Sequence, residues 1–105
     1  STPLGDVAEC GAIAKALGGK TDKVVVNSSK SMIGHPLGAA SAIEAVIAVK
    51  SLEEQKVHKT LNLDNQDEKI LLNCAKESMD LPITYAMSNS FGFGGHNSAV
   101  IFKKA

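Results

Sequence analysis

The residues best suited to chemistry sit in SSKSMIGHPLGAAS, where Lys30 and His35 lie five positions apart in a polar stretch between an apolar run and a small-residue helix pattern. Loops at such junctions commonly hold sites, because a rigid strand and helix aim the side chains between them. A lysine beside an imidazole disfavours the imidazolium by like-charge repulsion, leaving a neutral ring that can donate or accept one hydrogen bond. A satisfied loop histidine with no chemistry is the competing reading. Glu44 falls among Ala and Ile neighbours, where a carboxylate needs a cationic partner or a metal, and Lys30 is the natural partner. A different helix register would instead turn Glu44 to solvent.

Other chemical signatures fail on inspection. Gly18-Gly19-Lys20-Thr21 suggests a phosphate loop, but Ala14 stands where the first glycine belongs, and a helix precedes rather than follows. Gly92, Gly94 and Gly95 resemble a dinucleotide fingerprint up to Asn97, which replaces the third glycine, and no helix pattern follows. Phe91-Gly92-Phe93-Gly94-Gly95 reads instead either as a plain hairpin link of five residues or as a hinge in which Phe93 can swing. Cys10 lies on the apolar face of a helix pattern, and Cys74 follows a short strand pattern with no histidine nearby, so both read as structural thiols rather than nucleophiles.

The elements that must position these groups follow from periodicity. Thr2-Pro3 is an N-cap and first helical position, Val7, Cys10, Ile13, Ala14 and Leu17 recur at helical spacing, and Gly18-Gly19 stops the helix. Val24 to Val26 is a strand of the kind buried on both faces, and 27–36 a polar loop. A helix is expected over 37–54, thin along Gly38 to Ala42 so that another backbone can approach. Residues 51–59, with His58, read as a solvated helix end and connector without function. Short strands are expected at 70–73, 84–90 and 98–102.

Composition narrows the function classes. Eleven basic residues balance eleven acidic ones with no basic run, which argues against nucleic acid and anionic membrane surfaces as partners. No apolar stretch approaches the roughly 18 residues of a membrane span. Two unpaired cysteines suit a reducing compartment. A chain of 105 residues holds at most one modest core, and as part of a larger fold it would leave apolar surface uncovered.

Taken together, STPLGD, SSKSMIGHPLGAASAIEA and SNSFGFGGHN resemble, in order and spacing across essentially the whole chain, the β-ketoacyl-acyl-carrier-protein synthase family, most of all its elongating type II enzymes. The resemblance implies an α/β chain forming part of the C-terminal half of a thiolase-like layered fold, a mixed sheet with packed helices. Residues 1–105 would be a single incomplete domain. In that family a cysteine takes up the acyl group, two histidines assist decarboxylation of a malonyl thioester, and the resulting carbanion attacks the acyl thioester. By motif, Lys30 is the family lysine, His35 the second histidine, and Phe91 to Gly95 the gate with Phe93 its aromatic. Glu44, Ser88 and Asn89 match supporting positions that surround a structural monovalent cation in relatives, and no other cofactor is implied.

The implied partners are acyl carrier protein, acyl and malonyl thioesters, the rest of the synthase chain and a second copy in a homodimer, in cytoplasm or plastid stroma. Ser41 stands where GAAG is usual and His96 where threonine follows GFGG, so gating and acyl preference are open to change. The family cysteine and first histidine belong upstream of these residues, and the isolated chain is expected to be inactive. The alternatives are a noncatalytic partner resembling a chain-length factor, a condensing-domain fragment of a polyketide synthase, and a free-standing binding module.

Overall fold

The computed structural model describes residues 2–105, so Ser1 of the STPLGD block lies outside the described residues. The first helix, α1 (Pro3–Ala16), begins as its sequence requires: the Thr2 hydroxyl accepts the Gly5 amide at 2.9 Å, and Pro3 occupies a position whose missing N–H costs nothing. It ends where Gly18 and Gly19 take φ of 60° and 75°, and the Gly19 amide reaches back to the Ala14 carbonyl at 2.9 Å.

The chain then forms β1 (Val25–Val26), α2 (Lys30–Ile33), a 3₁₀ turn at Leu37–Ala39, and α3 (Ala40–Glu54). The polar loop expected over 27–36 thus contains a one-turn helix, and the long helix begins as a 3₁₀ turn. Beyond α3 come β2 (Lys56–Val57), β3 (Asn73–Cys74), β4 (Met79–Asp80) and the hairpin β5 (Tyr85–Gly92) to β6 (His96–Lys103). β1 pairs with β3 in parallel, β2 with β4 and β5 with β6 antiparallel, so both ladder types are present. Val24, Val25 and Val26 are half-buried rather than covered on both faces.

α3 has no glycine at its C-terminus. Gln55 ends it in the left-handed region at φ 55°, and its amide compensates by donating to the Leu52 and Ile83 carbonyls at 2.7 and 2.9 Å while accepting the Ile83 amide at 2.9 Å. This one side chain ties the helix end to the approach of β5. The strand expected at 70–73 begins only at Asn73, and the Ile70 and Leu72 carbonyls accept the Gln66 side-chain amide at 2.7 and 2.9 Å instead of ladder bonds.

α3 packs mainly on β5 and then on β6. The buried apolar residues are Ile13, Ala40, Leu52, Val57, Leu72 and Ala75, a small core. Val46, Tyr85, Phe91 and Ile101 stay exposed on α3 and the hairpin. Large apolar side chains left in the open on packed elements suit a surface that other polypeptide covers. Among the described residues, no helix is long and apolar enough to cross a membrane.

Candidate active site

Lys30 opens α2, and its ammonium pairs with the Glu44 carboxylate one turn inside α3. The pair joins the two elements that flank His35. Glu44 is the more enclosed member, its side chain 12% exposed against 31% for Lys30, so the register that would have turned it to solvent is not adopted. A carboxylate this sheltered persists because the lysine compensates its lost hydration.

His35 follows in the link between α2 and the 3₁₀ turn, with its ring exposed. Its Nδ1 accepts the backbone amide of Leu37 at 3.1 Å. That contact requires an unprotonated Nδ1, so in the neutral ring the proton sits on Nε2, which faces away as a donor. Leu37 itself sits at φ 50°, a left-handed conformation that a leucine adopts at a cost, and is 73% exposed. The bend of the chain through Pro36, at φ −81° and ψ 23°, brings the Leu37 amide back to the ring. The Lys30 ammonium is paired with Glu44, and the His35 ring meets the Leu37 amide through Nδ1.

The glycine-rich link is shorter than expected. Phe91 and Gly92 belong to β5, the last ladder pair is Gly92 with His96, and only Phe93, Gly94 and Gly95 form the loop. Gly94 and Gly95 take φ of 78° and 80°, which suits the tip of a three-residue hairpin, and Phe93 at its apex is 99% exposed. The His96 ring leans on the loop, its Cδ2 lying 3.7 Å from where a Cβ on Gly94 would stand. Ser41 is exposed in the first turn of α3.

Ser88 and Asn89 are half-buried on β5, the strand against which α3 packs. Asn89 turns its Nδ2 to Glu9 of α1 at 3.5 Å, which leaves its Oδ1 available. Among the described residues, no three His, Cys, Asp or Glu side chains come together as a metal site.

Neither thiol is fit to attack. Partial burial pushes Cys10 up to about 11, with smaller contributions from Cys74, Glu9 and Asp6, and burial likewise raises Cys74, with Asp6 adding to it. A nucleophile needs the opposite shift. The connector at 51–59 differs from expectation, since Val57 is buried and His58 is half-buried against Ser29, the residue before Lys30. No periodic signal marks that contact, which spans 29 residues.

Comparison with known proteins decides the family. Residues 1–64 match the model of the β-ketoacyl synthase C-terminal domain. The chain belongs to the β-ketoacyl synthase family. Among relatives of this family, the 3-oxoacyl-[acyl-carrier-protein] synthase 2 of Vibrio cholerae is 50% identical over 99% of the chain and 26% of its own length. That of Staphylococcus aureus is 46% identical over 99% of the chain and 25% of its own. The chain thus spans about a quarter of these relatives.

Solved ketosynthases share the fold. One is a type II polyketide ketosynthase, in complex with its acyl-carrier protein and bound to a hexaketide. It superposes with a TM-score of 0.94 at 36% identity, over all of this chain and 26% of its own. A β-ketoacyl synthase from Burkholderia phymatum superposes with a TM-score of 0.88, also at 36% identity, over 99% of this chain and 25% of its own. The α/β arrangement described above is therefore part of a thiolase-like ketosynthase fold.

Proposed function

We propose that this chain supplies the Lys30–Glu44 and His35 part of the active site of a 3-oxoacyl-acyl-carrier-protein synthase, which condenses a malonyl thioester with an acyl thioester during fatty-acid elongation. The observation that carries the proposal is the Leu37 amide bound to His35 Nδ1, which presents Nε2–H as a ready donor. In the reaction, the bond between the malonyl α-carbon and its carboxylate breaks, carbon dioxide leaves, and the electron pair spreads over the α-carbon and the thioester oxygen as an enolate. A donor already aimed at that oxygen lowers the barrier without reorganising. The α-carbon then attacks the acyl thioester carbonyl, forming the carbon–carbon bond and expelling the thiolate of a cysteine elsewhere in the parent synthase.

Lys30 positions rather than reacts. Its ammonium is committed to Glu44, and the pair fixes α2, which leads into His35, against α3. Phe93 serves as the aromatic gate, supported by its exposed place between Gly92 and two left-handed glycines. Glu44, Ser88 and Asn89 would hold a monovalent structural cation. Their hard oxygen donors come from two packed elements, but they are fewer than the six or so such ions take, so further oxygens must come from water or other segments. A bound cation there would neutralise the carboxylate face that Lys30 leaves open.

Identities of 46–50% to 3-oxoacyl-[acyl-carrier-protein] synthases 2, against 36% to the polyketide ketosynthase, favour fatty-acid elongation. Acyl carrier protein is the partner that delivers both thioesters. A noncatalytic subunit has no need of a lysine and a histidine held in this arrangement. The exposed apolar faces of α3 and the hairpin are covered by the rest of the synthase chain, with the complete enzyme a homodimer, and 1–105 is an incomplete portion of one domain. The half-buried free thiols suit a reducing compartment, cytoplasm or plastid stroma. Incubating the parent synthase with acyl and malonyl carrier protein tests the reading: His35→Ala and Lys30→Ala should each lower condensation about 10²-fold or more with the fold retained, and unchanged activity in both removes these residues from the site.

A further inference from the structure

The turn that carries Lys30 is tied at almost every residue to one distant segment. The Asn27 side chain donates to the His58 carbonyl at 2.8 Å, and the Ser28 amide donates to Thr60 Oγ1 at 2.9 Å. The Leu61 amide donates to Ser31 Oγ at 2.9 Å, and that hydroxyl passes its own proton to the Ser28 carbonyl, also at 2.9 Å. Ser29 Oγ lies 3.4 Å from His58 Nε2, while His58 Nδ1 lies 2.9 Å from the Lys59 carbonyl. A carbonyl only accepts, so Nδ1 carries the ring proton and Nε2 accepts from the Ser29 hydroxyl.

The segment at 58–61 is itself held firmly. The Thr60 amide donates to the Ala75 carbonyl and the Ala75 amide to the Val26 carbonyl, both at 2.8 Å, and the Lys59 amide donates to Ser78 Oγ at 3.0 Å. Ala75 is 1% exposed, so this junction rests on the core. α2 has only one turn, and the hydroxyl of its N-cap Ser29 does not cap the helix's own amides, so it cannot hold itself in place. Its position comes from outside.

We propose that the segment from His58 to Leu61 is the platform that positions Lys30, with Thr60 and His58 as positioning residues for the condensation. The inference rests on the functional reading above. Thr60 Oγ1 accepts the bond from the Ser28 amide, two residues before Lys30, and His58 braces the residue immediately before it. Loss of either contact lets the turn shift, and with it the Lys30–Glu44 pair and the link to His35.

The test uses the full-length synthase containing this chain. Thr60→Val keeps the shape and removes the acceptor, whereas Thr60→Ser keeps the acceptor. Thr60→Val should lower kcat for condensation about tenfold, with KM for the acyl thioester and the rate of acyl loading onto the nucleophile within about twofold of wild type. Thr60→Ser should restore kcat to within about twofold. His58→Gln, whose side-chain oxygen can still accept from Ser29, should keep more kcat than His58→Phe, which supplies an independent reading should Thr60→Val not fold. Equal kcat in Thr60→Val and wild type, or equal loss in Thr60→Ser and Thr60→Val, overturns the proposal while loss of condensation in Lys30→Ala leaves the functional reading standing. Full condensation in Lys30→Ala overturns both.

Discussion

Exchanging Glu44 for Gln removes the charge that balances Lys30 while keeping nearly the same volume, so the loss is electrostatic. A solvent-exposed pair contributes about 0–1 kcal/mol, and breaking a fully buried one costs about 3–5 kcal/mol. With side chains 12% and 31% exposed, this pair lies between those limits, and a loss of about 2 kcal/mol is expected. Lys30→Met should cost a similar amount, because it leaves the enclosed carboxylate alone. The double variant removes both charges and should be about 1–3 kcal/mol less destabilised than the sum of the singles. Urea unfolding of the parent synthase and its three variants, each followed by fluorescence and circular dichroism, measures that coupling. Additive effects within about 0.5 kcal/mol would refute the reasoning, since they mean that the two groups do not interact in solution.

His35→Ala should separate rate from stability. Loss of one preorganised donor lowers kcat about 10²–10³-fold, whereas the exposed Leu37 amide turns to water and unfolding free energy falls by less than about 1 kcal/mol. Cys10, pushed up to about 11, should be about one hundredth thiolate at pH 9, and its alkylation rate should rise about tenfold per pH unit until about pH 11. For stability the sign is that of an acid raised on folding: the contribution is intact below its ordinary 9.0 and is lost as pH climbs towards about 11, so alkaline unfolding should begin in that window. Gly94→Ala, forced to φ 78°, should destabilise by about 1 kcal/mol and slow acyl loading, whereas Phe93→Ala, at a side chain 99% exposed, should leave the unfolding free energy within about 0.5 kcal/mol.

What could be read from the chain depended on how local its cause was. α1 is bounded by residues beside it, Thr2-Pro3 and Gly18-Gly19, and the hairpin by its own glycines, so both are visible in sequence. α2 is not, because one helical turn has too few positions to show a period, and the bonds of Asn27, Ser28 and Ser31 that hold it run to residues about 30 positions away. The two-residue strands β2 and β4 are invisible for the same reason. Gln55 at φ 55° breaks the preference for glycine at a helix end and is understood only with Ile83 in place.

The site shows the same division. The Lys30–Glu44 pair was legible, because a carboxylate among apolar neighbours demands a cation. The Leu37 amide on His35 was not, since nothing in His-Pro-Leu-Gly announces a leucine in a left-handed conformation. The segment around His58 reads as a solvated connector because His58 and Lys59 are polar in composition. Their hydrogen bonds, not their hydropathy, fix them.

The proposed donor at Nε2 depends on where the proton of His35 sits, and nitrogen-15 spectra of the parent synthase labelled in its histidine rings measure that directly. With His35→Ala used to assign the signal, Nε2 should carry the proton and Nδ1 should be bare at the pH of the reaction. A proton on Nδ1, or a doubly protonated ring at that pH, would contradict the account, because Leu37 could then not donate to the ring.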